Sequence, residues 1–139
     1  MTLFVLDASV AVSWFVDVPV HPYAAEVRHQ LAAGKARGVS PPLWTLEFGN
    51  GILVAERRKL LSPIQADECI EKMNHLLRSN VELDTIDPAI DDLLPISRKY
   101  QLTVYDASYL ALALRRQLPL ATLDKRMQAA AKLAGVKSA

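Results

Sequence analysis

Cysteine is nearly absent from this chain: Cys69 is the one thiol in 139 residues. A lone thiol excludes an internal disulfide and a cysteine-built metal knuckle, and it reads as a small buried apolar residue in a reducing compartment. Histidine is scarce too, and His21, His29 and His75 stand at spacings that make no metal site with one another. No stretch approaches the about 18 uninterrupted apolar residues of a membrane span, and no basic residue precedes Asp7 as a secretory leader would require. The expectation is a cytoplasmic protein with no membrane association. Glycine numbers five, and Gly49-Asn50-Gly51 lacks both a third glycine and a preceding strand, which argues against a dinucleotide or Walker-type phosphate loop. Charge of one sign is also missing: 16 Lys and Arg against 15 Asp and Glu leave +1, too little to announce a polyanionic partner by itself.

Apolar residues are plentiful, at 51% of a length that suits one domain, residues 1–139. They fall into short runs separated by longer helix-like stretches. Leu3–Leu6 reads as a strand, Ala8–Phe15 as a short helix and, beyond the Pro19/Pro22 break, residues 23–33 as an amphipathic helix that stops at Gly34. A short strand over Arg37–Ser40 precedes Pro41-Pro42, which opens a helix reaching Lys59, with Gly49 and Gly51 as points of close packing. Ser62-Pro63 and Gln65 form a capping box for a helix to about Leu77. Val81–Leu83 reads as a buried strand, Asp87-Pro88 as the start of a helix to Tyr100, Thr103–Arg116 as a strong helix and residues 119–122 as a strand. A last helix runs from Asp124 to Gly135. This alternation predicts an α/β fold with a short central parallel sheet covered by helices on both faces.

Two of the apolar runs, Leu3-Phe4-Val5-Leu6 and Leu120-Ala121-Thr122-Leu123, end in an aspartate, Asp7 and Asp124. If the runs are neighbouring parallel strands, both carboxylates lie at the carboxyl edge of the sheet, where open α/β folds place their sites. Either acid could equally be a helix N-cap. Two further acids strengthen the functional reading. Glu47 is the one charged residue between Ser40 and Ala55, with Asn50 three residues on. Asp106 follows Thr103 at capping-box spacing. Four carboxylates with no lysine or arginine among them call for a hard divalent cation, magnesium with manganese as a substitute, and such a site activates water against a phosphodiester. Setting these four acids aside leaves 11 against 16 basic residues, an excess of five positive charges that includes Arg57-Arg58-Lys59, Arg98-Lys99, Arg115-Arg116 and Lys125-Arg126. Such a surface permits a polyanion.

These residues match a known pattern. Tyr105-Asp106-Ala107-Ser108-Tyr109-Leu110-Ala111-Leu112-Ala113, Thr122-Leu123-Asp124, Leu6-Asp7-Ala8-Ser9 and Glu47-Phe48-Gly49-Asn50 occur in the order of the PIN-domain family. The chain resembles that family, and most closely the VapC toxins of bacterial and archaeal toxin–antitoxin pairs. The resemblance implies a PIN-like α/β/α sandwich of four or five strands, the fifth in doubt because the chain ends in Gly135-Val136-Lys137-Ser138-Ala139. It implies a metal site of Asp7, Glu47, Asp106 and Asp124, with Ser9, Asn50 and Thr122 as accessory residues bonding carboxylates or water. It further implies a Mg2+-dependent endoribonuclease, homodimeric and silenced by a VapB-type antitoxin. Met127 departs from the pattern by standing where an aromatic residue is common.

Two other readings compete. A stand-alone PIN-domain RNA-processing nuclease would share the site without the antitoxin. A receiver-like phosphoacceptor module also gathers aspartates and magnesium, with Asp84 as its acceptor, but it wants paired acids after the first strand, and Leu6-Asp7-Ala8 supplies one. Trp14, Phe15 and Trp44 lie near site residues in sequence and read chiefly as core.

Overall fold

Four apolar runs become four parallel strands in the computed structural model, which describes residues 1–139: β1 (Thr2–Leu6), β2 (Ala36–Ser40), β3 (Val81–Leu83) and β4 (Leu120–Ala121). Between and after them come α1 (Ala8–Val16), α2 (Pro22–Ala32), α3 (Trp44–Arg57), α4 (Pro63–Ser79), α5 (Ile90–Tyr100), α6 (Val104–Arg116) and α7 (Lys125–Leu133). The sheet order is β3-β2-β1-β4. Val5 pairs with Val39 on one side of β1 and with Leu120 on the other. Val5, Leu6, Val39, Val81 and Ala121 are fully buried, as strands covered on both faces must be.

The chain leaves β1 for β2 and then β3 in one direction, and returns to the opposite flank of β1 as β4. Right-handed crossovers therefore put the helices before β3 on one face and α5 and α6 on the other. Packing agrees: α1 lies on α2 and α3, and α3 on α4, whereas α5 lies on α6 and α6 on α7. The order reverses between β1 and β4, which makes the carboxyl end of that strand pair the topological switch point.

Large side chains fill the two helical layers. Trp44 stacks on Phe48 with ring centroids 5.5 Å apart, and Phe15 meets Phe48 edge-on at 5.7 Å. Trp14 is buried and donates its indole N–H to the Ala24 carbonyl at 2.7 Å, tying α1 to α2. Trp14 and Trp44 are thus core, and Phe15 is half-buried against it. Cys69 is buried in the same cluster.

Several boundaries differ from the sequence reading. α3 starts at Trp44, because Pro41 precedes another proline and is held out of helical geometry, so Pro41 to Leu43 form a turn closed by Trp44 N–H to Pro41 C=O at 3.0 Å. α5 starts at Ile90, after an extended Ala89 that caps it. The Ser62/Gln65 capping box forms in full, whereas at α6 only the Thr103 half forms, with its Oγ1 accepting from Asp106 N–H at 3.1 Å. In place of a fifth strand the tail makes a single parallel bridge between Ser138 and Leu120.

The two glycines of α3 differ. A Cβ on Gly51 would sit 2.8 Å from Val12 Cγ2, so Gly51 is what lets α1 approach α3, while a Cβ on Gly49 meets nothing within 4 Å. Gly51→Ala is expected to lose about 1–2 kcal/mol against a stiff β-branched neighbour. Gly49→Ala is expected to gain roughly 0.5–1 kcal/mol from helix propensity. Urea unfolding of the two variants reads both signs.

Candidate active site

Asp7 follows the last residue of β1, and its backbone N–H donates to Ala121 C=O at 3.0 Å, which docks it against the end of β4. Its side chain does not cap α1. Instead Oδ2 accepts two hydroxyl hydrogen bonds, from Ser9 Oγ and Thr122 Oγ1, each at 2.7 Å. Both hydroxyls are themselves held by the loop after β4: Ser9 Oγ accepts from Leu123 N–H at 3.1 Å and Thr122 Oγ1 from Asp124 N–H at 3.0 Å. The two strand ends are laced together around one carboxylate that is only 6% exposed. Nearby, the buried Ser40 hydroxyl donates to Leu6 C=O at 2.7 Å and locks the end of β2 to the end of β1.

The other three acids come from helix beginnings. Asp124 is the N-cap of α7, its Oδ1 accepting from Arg126 and Met127 N–H at 2.8 and 3.2 Å. Met127 itself is fully buried, so an apolar side chain of any shape that fits serves there. Glu47, in the first turn of α3, is half-buried and accepts from the Tyr109 hydroxyl at 2.6 Å. Asp106, in the first turn of α6, is half-buried and its carboxylate accepts no hydrogen bond that meets ordinary geometry. By ordinary hydrogen-bond distance and angle, at least one oxygen of each accepts no side-chain or capping bond: Asp7 Oδ1, Glu47 Oε2, Asp124 Oδ2 and both oxygens of Asp106.

Burial and mutual repulsion dominate the electrostatics. Burial raises Asp7 above its ordinary 3.8, outweighing the Ser9 and Thr122 bonds, and the charge of Asp124 adds to the rise. Partial burial, then Asp7 and Asp124, raise Asp106. Glu47 is raised by burial, partly offset by the Tyr109 bond, and again by Asp7 and Asp106. The Tyr109 phenol is buried beside these charges and is pushed far above its ordinary range, so it stays a donor. No basic side chain relieves the cluster. The two ion pairs of the chain join Arg115 to Asp84 and Arg116 to Glu82.

The acids therefore sense one another's charge, although no three of them are gathered closely enough to hold a metal ion as they stand. Their chemistry fits a hard divalent cation all the same: oxygen donors only, each with a free lone pair, and no counter-charge. Among the accessory residues, Ser9 and Thr122 both touch Asp7, whereas Asn50 is exposed and its side chain touches none of the four acids through a hydrogen bond. The sequence gives Tyr109 no role of its own, and its bond to Glu47 appears only in the structure. The signal was its position three residues after Asp106, on the same face of α6.

A carboxylate whose folded pKa lies above its unfolded value binds its proton more readily in the folded state, so stability declines as pH rises through the interval between them. Asp7, Asp106 and Glu47 all have that sign, and the interval opens at the ordinary values, 3.8 for Asp and 4.5 for Glu. In chelator, the Tm contribution of this cluster is expected to fall from about pH 4 towards neutrality. Asp7→Asn flattens that fall, and millimolar magnesium at pH 7 reverses it. A thermal-shift series across pH, with and without magnesium, checks all three.

The chain superposes on the crystal structure of PAE2754 from Pyrobaculum aerophilum with a TM-score of 0.70 at 22% identity, covering 93% of this chain and 84% of that one. At this identity the likeness shows a shared fold. No curated protein matches the sequence. The PIN domain model matches residues 4–133, a span that holds all four acids with Ser9, Thr122 and Tyr109, and the chain belongs to the PIN domain family.

Proposed function

We propose that the chain is a divalent-metal-dependent endoribonuclease, the toxin of a type II toxin–antitoxin pair, acting through Asp7, Glu47, Asp106 and Asp124. PIN domains are generally nucleases that use divalent metal ions, so family membership supports the coarse part of this reading. The observation that carries the assignment to these four residues is that no basic side chain pairs with any of them while burial and one another's charge raise three of them. Neighbouring like charges raise Asp7, Glu47 and Asp106, and a cation beside them favours their ionised forms.

A divalent ion held there supplies charge neutralisation for the phosphodiester and a water of lowered pKa. The chain's own residues prepare that chemistry. Ser9 and Thr122 fix Asp7 by two hydroxyl bonds to one oxygen, Oδ2, and neither engages Oδ1. Tyr109 anchors Glu47 through Oε1, so that α3 and α6 present their acids as one unit. Two backbone bonds hold Asp124 by Oδ1. None of these carboxylates needs to move a neighbouring basic group aside when the ion and substrate arrive.

The toxin assignment, the homodimer and magnesium as the native ion rest on the motif resemblance. Under that assignment a VapB-type antitoxin with a basic side chain among the carboxylates would replace the cation. Expression of the chain alone should arrest growth, and co-expression of a short neighbouring reading frame should relieve it.

The decisive assay is cleavage of labelled RNA by the purified chain in magnesium, manganese or chelator. Asp7→Asn and Asp106→Asn are expected to lose cleavage by about a hundredfold or more, as for loss of a group that stabilises the transition state. Full activity in both variants refutes the reading. Tyr109→Phe keeps the ring in the core and removes one bond to Glu47. It should weaken metal affinity or activity by about 10–100-fold, seen as a rightward shift of the magnesium titration.

A further inference from the structure

The last fifteen residues, Lys125 to Ala139, contain Lys125, Arg126, Lys132 and Lys137 and no acid. This all-basic segment begins immediately after Asp124, the most C-terminal member of an all-acidic cluster. Its placement is not arbitrary. α7, capped by Asp124, runs to Leu133 and closes in a Schellman turn, with Gly135 N–H on Lys132 C=O at 3.2 Å and Val136 N–H on Ala131 C=O at 2.8 Å. Gly135, at φ +79°, permits the reversal. The tail then runs back along β4, where Leu120 N–H donates to Lys137 C=O at 2.9 Å and Ala139 N–H to Leu120 C=O at 3.1 Å.

Helix and tail thereby form the two walls of an open groove of about 620 Å3, with Leu120 and Thr122 from β4 and its end between them. Its polar lining is Thr122, Gln128, Lys132, Lys137 and Ser138, and no carboxylate contributes. Thr122 is the same residue whose hydroxyl holds Asp7, so one end of the groove abuts the acid cluster. Gln128 covers the Thr122 carbonyl at 3.0 Å. Lys125 and Lys132 are seven residues apart and share a face of α7, about 10 Å apart along its axis. All three lysines are exposed, and none forms an ion pair. A last-turn lysine complements the helix dipole, which accounts for Lys132 but not for Lys125 or Lys137.

We propose that this groove is a phosphate-binding subsite for single-stranded RNA, in which Lys132 and Lys137, with Lys125 at the rim, hold backbone phosphates flanking the bond at the acid cluster. The inference rests on the nuclease reading for its substrate. It adds what the four acids lack: an anionic strand is repelled by an uncompensated carboxylate cluster, and cationic groups one helix-length away supply the attraction that brings it in. Lysine reads phosphate as charge and not as sequence, so the groove contributes affinity without base preference.

The test is binding of a fluorescent single-stranded oligoribonucleotide to the full chain in chelator, by anisotropy over a salt series. Lys132→Gln with Lys137→Gln is compared with Lys35→Gln with Lys99→Gln, an exposed pair of equal charge change outside the groove. The groove pair is expected to weaken binding about tenfold at low salt and to reduce the slope of log affinity against log salt by about 1.4, at 0.7 per lost phosphate contact on a single strand. The control pair should match the unaltered chain. Unchanged binding by the groove pair, or an equal loss in the control pair, overturns the subsite. Cleavage of the same RNA in magnesium separates the two ideas. A cleaving enzyme whose binding ignores the groove pair sinks the subsite alone, and groove-dependent binding without cleavage in any metal sinks the nuclease reading alone.

Discussion

A single buried carboxylate governs this molecule. Asp7 stands where β1 ends, with its backbone bonded to β4 and its side chain bonded to hydroxyls on both flanks of the β1–β4 junction. Burying a carboxylate is expensive unless hydrogen bonds or a counter-charge compensate it. Here two hydroxyls satisfy one oxygen and nothing satisfies the charge, so the residual cost is left in the folded state until a proton or cation relieves it. Ser9 supplies its bond locally, but Thr122 can reach Asp7, and Leu123 can hold Ser9, only if β1 and β4 are adjacent and in register. The site and the sheet order are therefore the same constraint seen at two scales.

The helices that complete the cluster are held by interactions away from it. α3 reaches its position because Gly51 lets it pack directly on α1, and Trp44 and Phe48 then bury its inner face, leaving Glu47 turned towards the strand ends. α6 is fixed at its far end by the Arg115–Asp84 ion pair and along its length by Tyr109 and Leu110 in the core. Tyr109 joins the two helices: its ring is core, its hydroxyl belongs to the site. Stability is concentrated in apolar contacts around a small region that is electrostatically strained, a common division between scaffold and active centre.

Much of the fold was legible because it is encoded locally. Short apolar runs bounded by Gly, Pro and acidic residues predicted all four strands, and the alternation with helices predicted a parallel sheet, since such strands need long crossovers. Caps at Ser62, Thr103 and Asp124 marked helix starts to within a residue. The start of α3 was misread because Pro41-Pro42 tolerates a first helical turn in principle, whereas a residue before proline resists it in practice. Gly49 and Gly51 look alike in sequence and differ only in what lies opposite them. Tyr109 hid among core residues because its periodicity reports the ring and is silent about the hydroxyl.

The sequence by itself determined which residues carry chemistry and roughly where each sits on its element, because residue type, capping position and hydrophobic period are local properties. It placed Asp7 and Asp124 at strand ends, Asp106 at the start of its helix and Glu47 on the helix after Pro41-Pro42. Only the tertiary structure decided that Ser9 and Thr122 share one oxygen of Asp7 while Asn50 stays in solvent, that Tyr109 holds Glu47, and that the acid-free C-terminal segment folds back to wall a groove beside Thr122. Each of these depends on distances between residues far apart in the chain. Those distances are set by strand order and helix packing, which no local pattern contains.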